Sequence, residues 1–470
     1  SKFQKYQNQR ILIKFYRMKN KRRKFLNQVS ILSAGISFGA GSLYGSSIKL
    51  SPKSYSRVVG SNERIGLAFQ GLGRRFPGLL RSSLKLKNID ILYFCDVMEK
   101  QTGRANNLFS KLSPKKVKNE VDIHKIFDDK DVDAIIMATP DHWHAYGACK
   151  AMEYGKHVYL EKPCSHNMDE SEKLVEYQKY YNKTIQMGNQ QRSSTHTQNI
   201  IKSIHNGIIG DAYNAVCFYN NNRGEVPNQV PTNPPPGLNW DLFQGPAPRR
   251  DYTYDTWDYN WRWYGWDYGT GEAGNNATHE LDIARWALDV NYPIHTNVYA
   301  KKNHFLNDGW TMYDNMEAKF EFPKNKSINW NGRSRNAYGR KIEGGRGTII
   351  YGTKGSVFVN RQEYKLYDIQ GNLLNHIKSN DNESNNTLGG GGNMTTRHMR
   401  NFVDGIRGKE NLNAPINDAV ISQSLVHYSN VAYRCNQSLT INLKSGKIKN
   451  KKAKKYWSRD YEPGWELKKI

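Results

Sequence analysis

The chain has 470 residues, of which 37% are hydrophobic, 12% aromatic and 24% charged, room for two or three domains at about 100–200 residues each. This composition excludes a disordered polyelectrolyte and a multi-span membrane protein. A net charge of +26 raises nucleic-acid binding, but the charge sits at the ends: residues 1–28 carry ten Lys or Arg and no acid, and residues 444–470 carry ten basic and three acidic residues. What lies between is a mildly basic, solvated globule, so no nucleic-acid partner is expected and the C-terminus reads as a solvated basic tail.

In chain order, residues 1–62 read as a leader and linker. Arg22-Arg23 is a paired arginine followed by Lys24-Phe25-Leu26, and Val29–Gly45 is uncharged and rich in Gly, Ser and Ala. That stretch is too short and too mildly apolar for a membrane span, so no stable span is expected in the mature protein. It predicts export by the twin-arginine route and a periplasmic location. The alternative is a basic tail with a buried apolar helix in a cytoplasmic protein.

Residues 63–185 read as a dinucleotide-binding domain. Apolar runs at Ile65–Gln70, Ile89–Cys95, Asp133–Ala138 and His157–Leu160 alternate with segments of helical spacing such as His144–Tyr154, which Gly155 would stop. Strands alternating with helices predict a parallel α/β sheet. From Gln186 onward, Ala212–Tyr219, Asn315–Phe322, Thr348–Tyr351 and Ser356–Val359 alternate as sheet strands do, and helical patterns return at His398–Ile406 and Asp418–Tyr433. Residues 227–236 and 379–393 read as loops. The expected fold class is α/β, with an N-terminal Rossmann domain and a second α/β domain over 186–470. Five scattered cysteines without CxxC spacing imply buried thiols, not a disulfide framework or a zinc site.

The chemistry sits at predicted strand ends, where ligands bind in open α/β sheets. Gly71-Leu72-Gly73 follows the first strand and precedes a predicted helix, letting backbone approach a pyrophosphate at a helix N-terminus. Asp96 ends the next strand, where a carboxylate accepts from both ribose hydroxyls and repels a 2′-phosphate, favouring NAD over NADP. Phe76 stands where the standard fingerprint has its third glycine, which predicts looser packing of helix on strand. Thr139-Pro140-Asp141-His142-Trp143-His144 and Glu161-Lys162-Pro163 end later strands. A Lys before Pro is held extended, which would aim the Lys162 amine into the cleft to stabilise an alkoxide and share its proton. His142 and His144 have no third ligand spaced with them, so no metal is expected.

A helix starting near Gly274 would place Asn275, His279, Asp282 and Trp286 on one polar stripe beside an apolar stripe of Ala277, Leu281, Ala284 and Leu288. His279 is then a candidate general acid/base with Asp282 one turn away to orient it; the alternative is a structural His. Trp240, Trp257, Trp261, Trp263 and Trp266 are interleaved with Asp258, Asn260, Arg262, Asp267 and Tyr268. This pattern suits a sugar, or equally a packed aromatic loop.

Taken together, these residues resemble the Gfo/Idh/MocA family (glucose–fructose oxidoreductase, inositol dehydrogenase and relatives). The resemblance rests on Gly71-Leu72-Gly73, Asp96, Ala138–His144, Glu161-Lys162-Pro163, Gly188-Asn189-Gln190-Gln191-Arg192 and Gly274–Asp282, in consistent order over roughly residues 63–440. The segments Trp240–Pro248 and Asn413-Ala414-Pro415-Ile416 resemble those of a secreted bacterial branch. The resemblance implies an open, mainly antiparallel sheet in the second domain and a homo-oligomer built on it. It implies NAD as cofactor, with Gly71, Gly73, Arg74, Asp96, Thr139, Pro140, Asp141, His144, Glu161, Lys162 and Gln190 around it. Lys162, His279, Asn275 and Asp282 become the catalytic set, and Arg192, Trp261, Arg262 and Tyr268 face a small sugar or glycoside. Where well-studied members carry an Asp-x-x-x-His pair, Asn275 replaces the Asp, and a neutral amide cannot raise the basicity of His or Lys as a carboxylate does. The resemblance leaves two reactions open. One is NAD-dependent oxidation of a ring hydroxyl, with His279 or Lys162 taking the proton. The other is redox-neutral cleavage of a glycoside through a transient 3-keto sugar. A sugar-binding protein without turnover is a third possibility, disfavoured by the presence of Lys162 and His279.

Overall fold

A computed structural model describes residues 64–342, 344–379 and 393–470; the expected leader, and residues 380–392 of the expected loop, lie outside them. Among these residues are two sheets. The first has six parallel strands, β1 (Ile65–Gln70), β2 (Ile89–Cys95), β3 (Lys118–Glu120), β4 (Ala134–Met137), β5 (His157–Leu160) and β6 (Ile185–Met187), in the order β3-β2-β1-β4-β5-β6. Every residue of β1 and of β4 is buried, as continuous apolar runs covered on both faces require. β6 crosses the expected division at 185/186.

The second sheet has nine strands, β7 (Ala212–Asn220), β8 (His295–Lys301), β9 (Asn315–Phe322), β10 (Lys326–Arg333), β11 (Arg346–Gly352), β12 (Gly355–Val359), β13 (Glu363–Asp368), β14 (Leu373–Lys378) and β15 (Leu439–Thr440). Their order is β14-β13-β12-β11-β7-β10-β9-β8-β15, and only β7 and β10 pair in parallel. Alternation puts Met316, Ala318, Phe320 and Phe322 of β9 inward and Glu317 and Lys319 outward. Helices Thr278–Leu288 and Ile416–Cys435 cover the inner face.

The helix Ile416–Cys435 also joins the two sheets. Its Ile416, Ala419 and Val420 pack under the first sheet, while Leu425, Val426, Tyr428 and Val431 pack under the second. Met399, Phe402 and Val403 of helix Asn393–Ile406 cover the other face of the first sheet. The C-terminal segment is not the solvated tail its charge suggests. Trp465 packs edge-on against Trp143 at 5.3 Å, Leu467 is buried in the same cluster, and Arg459 pairs with buried Glu170 at 2.9 Å. Aromatic and apolar residues every few positions anchor it, with the lysines left outward. No helix among the described residues is long and apolar enough to cross a membrane.

Candidate active site

Two connected cavities open at the carboxyl ends of β1, β2, β4 and β5. The first is lined by Gly71, Gly73, Arg74, Asp96, Thr139 and Pro140 and roofed by Leu238, Phe243, Trp257 and Trp261. Gly71 has φ +84, and a Cβ there would lie 2.6 Å from the Ala138 carbonyl, so only glycine fits. A Cβ on Gly73 would meet open space, which leaves a cradle for a phosphate against the N-terminus of helix Phe76–Leu84. Phe76 does not loosen the packing as expected: it is fully buried, edge-on to Phe69 at 5.4 Å and Phe94 at 5.1 Å. The Asp96 oxygens accept from the backbone N–H groups of Leu72 (2.7 Å) and Met98 (2.9 Å). Burial raises its pKa to about 6 in spite of these donors. Gln70 Oε1 and Thr139 Oγ1 are buried without a partner beside this groove. Cradle, carboxylate and orphaned polar atoms together fit a dinucleotide.

The second cavity is a polar chamber that shares Arg75, Thr139, Tyr259 and Arg262 with the first. Lys162, Glu161, Gln190, His144, Asn275 and His279 line it, as do Tyr219, Asn220, Arg223, Arg340 and Arg346. The Lys162 Nζ donates to the Asn275 carbonyl at 2.6 Å. Burial, and then the neighbouring Arg262 guanidinium, lower its pKa to about 8. Burial, then the positive charges of Arg361, Lys162 and Arg346, hold His279 well below the usual imidazole range. His279 is therefore neutral, and its buried Nε2 has no partner. Asn275 donates to Glu272 at 2.9 Å from a π-helical turn, Ala273–Ala277, that precedes the helix Thr278–Leu288. The sequence spacing predicted regular helix there; the wider turn keeps Asn275 and His279 on one wall nonetheless.

Several expected site residues lie elsewhere. Asp282 does not orient His279: its oxygens accept from Arg192 at 2.7 and 2.8 Å and from Ser422 at 2.6 Å. Arg192 is thereby withdrawn from any substrate, paired with Asp282 and Asp418 and stacked 4.6 Å over Trp286. Tyr268 donates to Gln244 at 3.1 Å and packs on His142 and Phe243, away from both cavities. Trp261 roofs the dinucleotide groove and lines no part of the chamber; Arg262, 3.9 Å over its ring, reaches both cavities. Asp141 accepts from the Thr270 backbone (3.1 Å) and hydroxyl (2.6 Å), pinning the two domains together at the chamber edge. Glu161 accepts from Arg75 at 2.8 Å and Gln190 at 2.9 Å, and the His144 ring contacts the Pro163 carbonyl at 2.5 Å. Arg74 pairs with Asp258 at 2.9 Å across the groove mouth.

Sequence reasoning missed the arginine–glutamate pairs that build the chamber wall. Arg346 donates twice to Glu280, at 2.7 and 2.8 Å, and Arg223 pairs with Glu272 at 3.2 Å. The arginines come from β11 and the loop after β7, and no local motif announces either. Among the described residues no three potential ligands converge as a metal site would need.

Comparison with known proteins matches residues 76–189 to the Gfo/Idh/MocA description "Oxidoreductase family, NAD-binding Rossmann fold". Residues 247–437 match its companion, "Oxidoreductase family, C-terminal alpha/beta domain". Together the two matches span more than half of the chain. A Glycosyl hydrolase family 109 protein of Shewanella baltica (strain OS185) is 24% identical over 208 residues, 42% of this chain and 45% of that protein. The chain thus spans less than half the length of that relative. Among solved structures, levoglucosan dehydrogenase in complex with NADH superposes with a TM-score of 0.62 at 17% identity, covering 81% of this chain and 99% of that one. Aldose-aldose oxidoreductase from Caulobacter crescentus gives 0.61 at 15% identity, covering 80% and 100%. At these identities the likeness is one of fold.

Proposed function

The chain belongs to the Gfo/Idh/MocA oxidoreductase family, with an NAD-binding Rossmann domain, and on that premise we propose that it oxidises a ring hydroxyl of a sugar or glycoside. The observation that carries this reading is the junction of the two cavities. The dinucleotide groove meets, at Thr139 and Arg262, a polar chamber that holds Lys162 and His279. Bound NAD would supply the acceptor for the hydride leaving the carbinol carbon. The residues handle the proton. With a pKa of about 8, Lys162 is the better base of the two; the depressed His279 accepts a hydrogen bond from the substrate and orients the hydroxyl. Gln190, Asn220 and Asn275 offer amides to neighbouring hydroxyls. The test is to denature purified protein, identify any released nucleotide by absorbance and mass, and screen glycosides for ketone formation. Stoichiometric NAD and a keto product support the reading. Failure to bind added NAD removes it.

A second reading, net cleavage of a glycoside without net oxidation, is favoured by the roof over the groove. Leu238, Phe243, Trp257 and Trp261 enclose the space beside Asp96, as a cofactor retained through many turnovers requires. A relative named as a glycosyl hydrolase agrees with it. Release of the aglycone without accumulation of NADH distinguishes this reaction from simple oxidation.

Export by the twin-arginine route is part of the proposal, carried by Arg22-Arg23 and the uncharged stretch after them; Arg22-Arg23→Lys-Lys should retain the protein in the cytoplasm. The same protein in the cytoplasm irrespective of these arginines would leave the cytoplasmic alternative. A homo-oligomer is proposed from the outer face of the large sheet, where Tyr213, Tyr299 and Tyr351 are exposed. Sedimentation of the purified protein tests it. No nucleic-acid partner is proposed.

A further inference from the structure

Among the described residues, the charges of the chamber do not cancel. Three of its cations are matched internally: Arg75 by Glu161, Arg223 by Glu272 and Arg346 by Glu280. Lys162, Arg262 and Arg340 make no ion pair among the described residues; Asp141, with Glu161 one of the two carboxylates among the described lining residues, acts on both Lys162 and Arg262 and offsets one of the three charges, so an excess of cations remains. Arg262 lies within electrostatic reach of Lys162 and of Arg223. Its guanidinium carbon lies 3.9 Å from the centroid of the Trp261 ring and 4.3 Å from that of Tyr259, contacts that hold the charge at the chamber wall. Like charges fixed together in a partly desolvated cavity repel one another. A neutral sugar would leave the excess in place, whereas an anionic substituent would relieve it and gain charge-assisted hydrogen bonds from a guanidinium.

Resting on the sugar-oxidoreductase reading above, we propose that the substrate is an acidic sugar, one bearing a carboxylate or a sulfate ester, whose anionic group is held by Arg262 and Arg340 while the hydroxyl to be oxidised faces Lys162. Carboxylate and sulfate share the chemistry that these arginines recognise, so both belong in the test.

The experiment uses the full chain loaded with NAD. Binding is measured by calorimetry for matched methyl glycosides, in both anomers and in gluco and galacto forms, that differ only at C6: neutral hydroxymethyl, carboxylate and sulfate. At least one acidic form should bind ten-fold or more tightly than its neutral partner, and the advantage should shrink as salt is raised. Whichever acidic form wins identifies the anion. Arg340→Gln, at an exposed position, should bring the ratio of acidic to neutral affinity most of the way back towards one. Arg262→Gln should lower the same ratio. Neutral sugars that bind and turn over as well as acidic ones would overturn the charge inference and leave the oxidoreductase reading standing. No binding of either kind by NAD-loaded protein would remove both.

Discussion

At Lys162, burial and the Arg262 charge both oppose the ammonium form, and the direction of the pH effect follows. The amine is protonated below about pH 8 and free to take a proton above it. Oxidation should therefore rise with pH through about 8, and Arg262→Gln, which removes a neighbouring positive charge, should move that rise to higher pH. Lys162→Met should lower turnover by about 10²–10⁴-fold, the usual worth of a positioned acid/base, with NAD still bound; steady-state rates and a nucleotide release assay check both halves. Asp96 has both oxygens on backbone donors and faces the groove. Asp96→Ala should weaken NAD by about 1.5–3 kcal/mol, the worth of hydrogen bonds to a charged group, and narrow the gap between NAD and NADP; fluorescence titration with both nucleotides measures it. These residues were legible in the sequence because each sits in a short motif at the end of an apolar run. Glu272 and Glu280 were not, because their arginines are 49 and 66 positions away. A pairing that only the fold creates leaves no local signal.

At the scale of elements, regular helical spacing misled in one place for a physical reason. The stripe of Asn275, His279 and Asp282 looks continuous on a regular helix, but Arg192 and Ser422 claim Asp282, while the π turn Ala273–Ala277 leaves Asn275 and His279 on one wall. Asn275 and His279 face the chamber, and Asp282 faces the helix Ile416–Cys435 through Ser422. Asp282 and Arg192 thus tie three elements together in a buried network. Asp282→Ala leaves Arg192 only the partly exposed Asp418 at 3.1 Å, so it should cost about 3 kcal/mol, the low end of what breaking a buried pair costs, read as a lowered melting temperature. A substrate role for Arg192 would instead predict that Arg192→Ala raises KM with unchanged stability. Burial raises the Asp282 pKa, but Arg192 more than offsets it, so the carboxyl is held below its usual range. The stability it contributes is present above the unfolded carboxyl value near 4 and is lost as pH falls through the lower folded value. The strands themselves were legible where pattern was strong, as at Asn315–Phe322. β13 and β14 were not, since β14 is exposed at every position at the sheet edge and has no buried face to write a pattern.

Across the whole molecule, the second domain does more than supply a chamber. Its segment from Leu238 to Arg262 reaches back over the first domain: Glu99 N–H donates to the Gly237 carbonyl at 3.0 Å, Asn239 N–H to Val97 at 2.9 Å, and Trp143 Nε1 to Phe243 at 2.9 Å. Of the aromatic segment that suited either a sugar or a packed loop in the sequence, Trp257 and Trp261 form part of a roof on the dinucleotide groove. Two kinds of contact hold the roof, and their magnitudes differ. The Arg74–Asp258 pair has partners 46% and 35% exposed, a setting in which an ion pair gives about 0–1 kcal/mol. Trp257 instead packs on a buried cluster of Phe243, Ala247, Trp261 and Tyr268, where burying an aromatic ring contributes about 1.5–3 kcal/mol. Asp258→Ala should therefore raise the NAD dissociation rate by less than about five-fold, and Trp257→Ala by about ten-fold or more, each followed by chasing bound nucleotide with an excess of a competing analogue. A larger effect of Asp258→Ala than of Trp257→Ala would mean that the ion pair, not the aromatic cover, keeps the groove closed, and the retained-cofactor basis for redox-neutral chemistry would weaken accordingly.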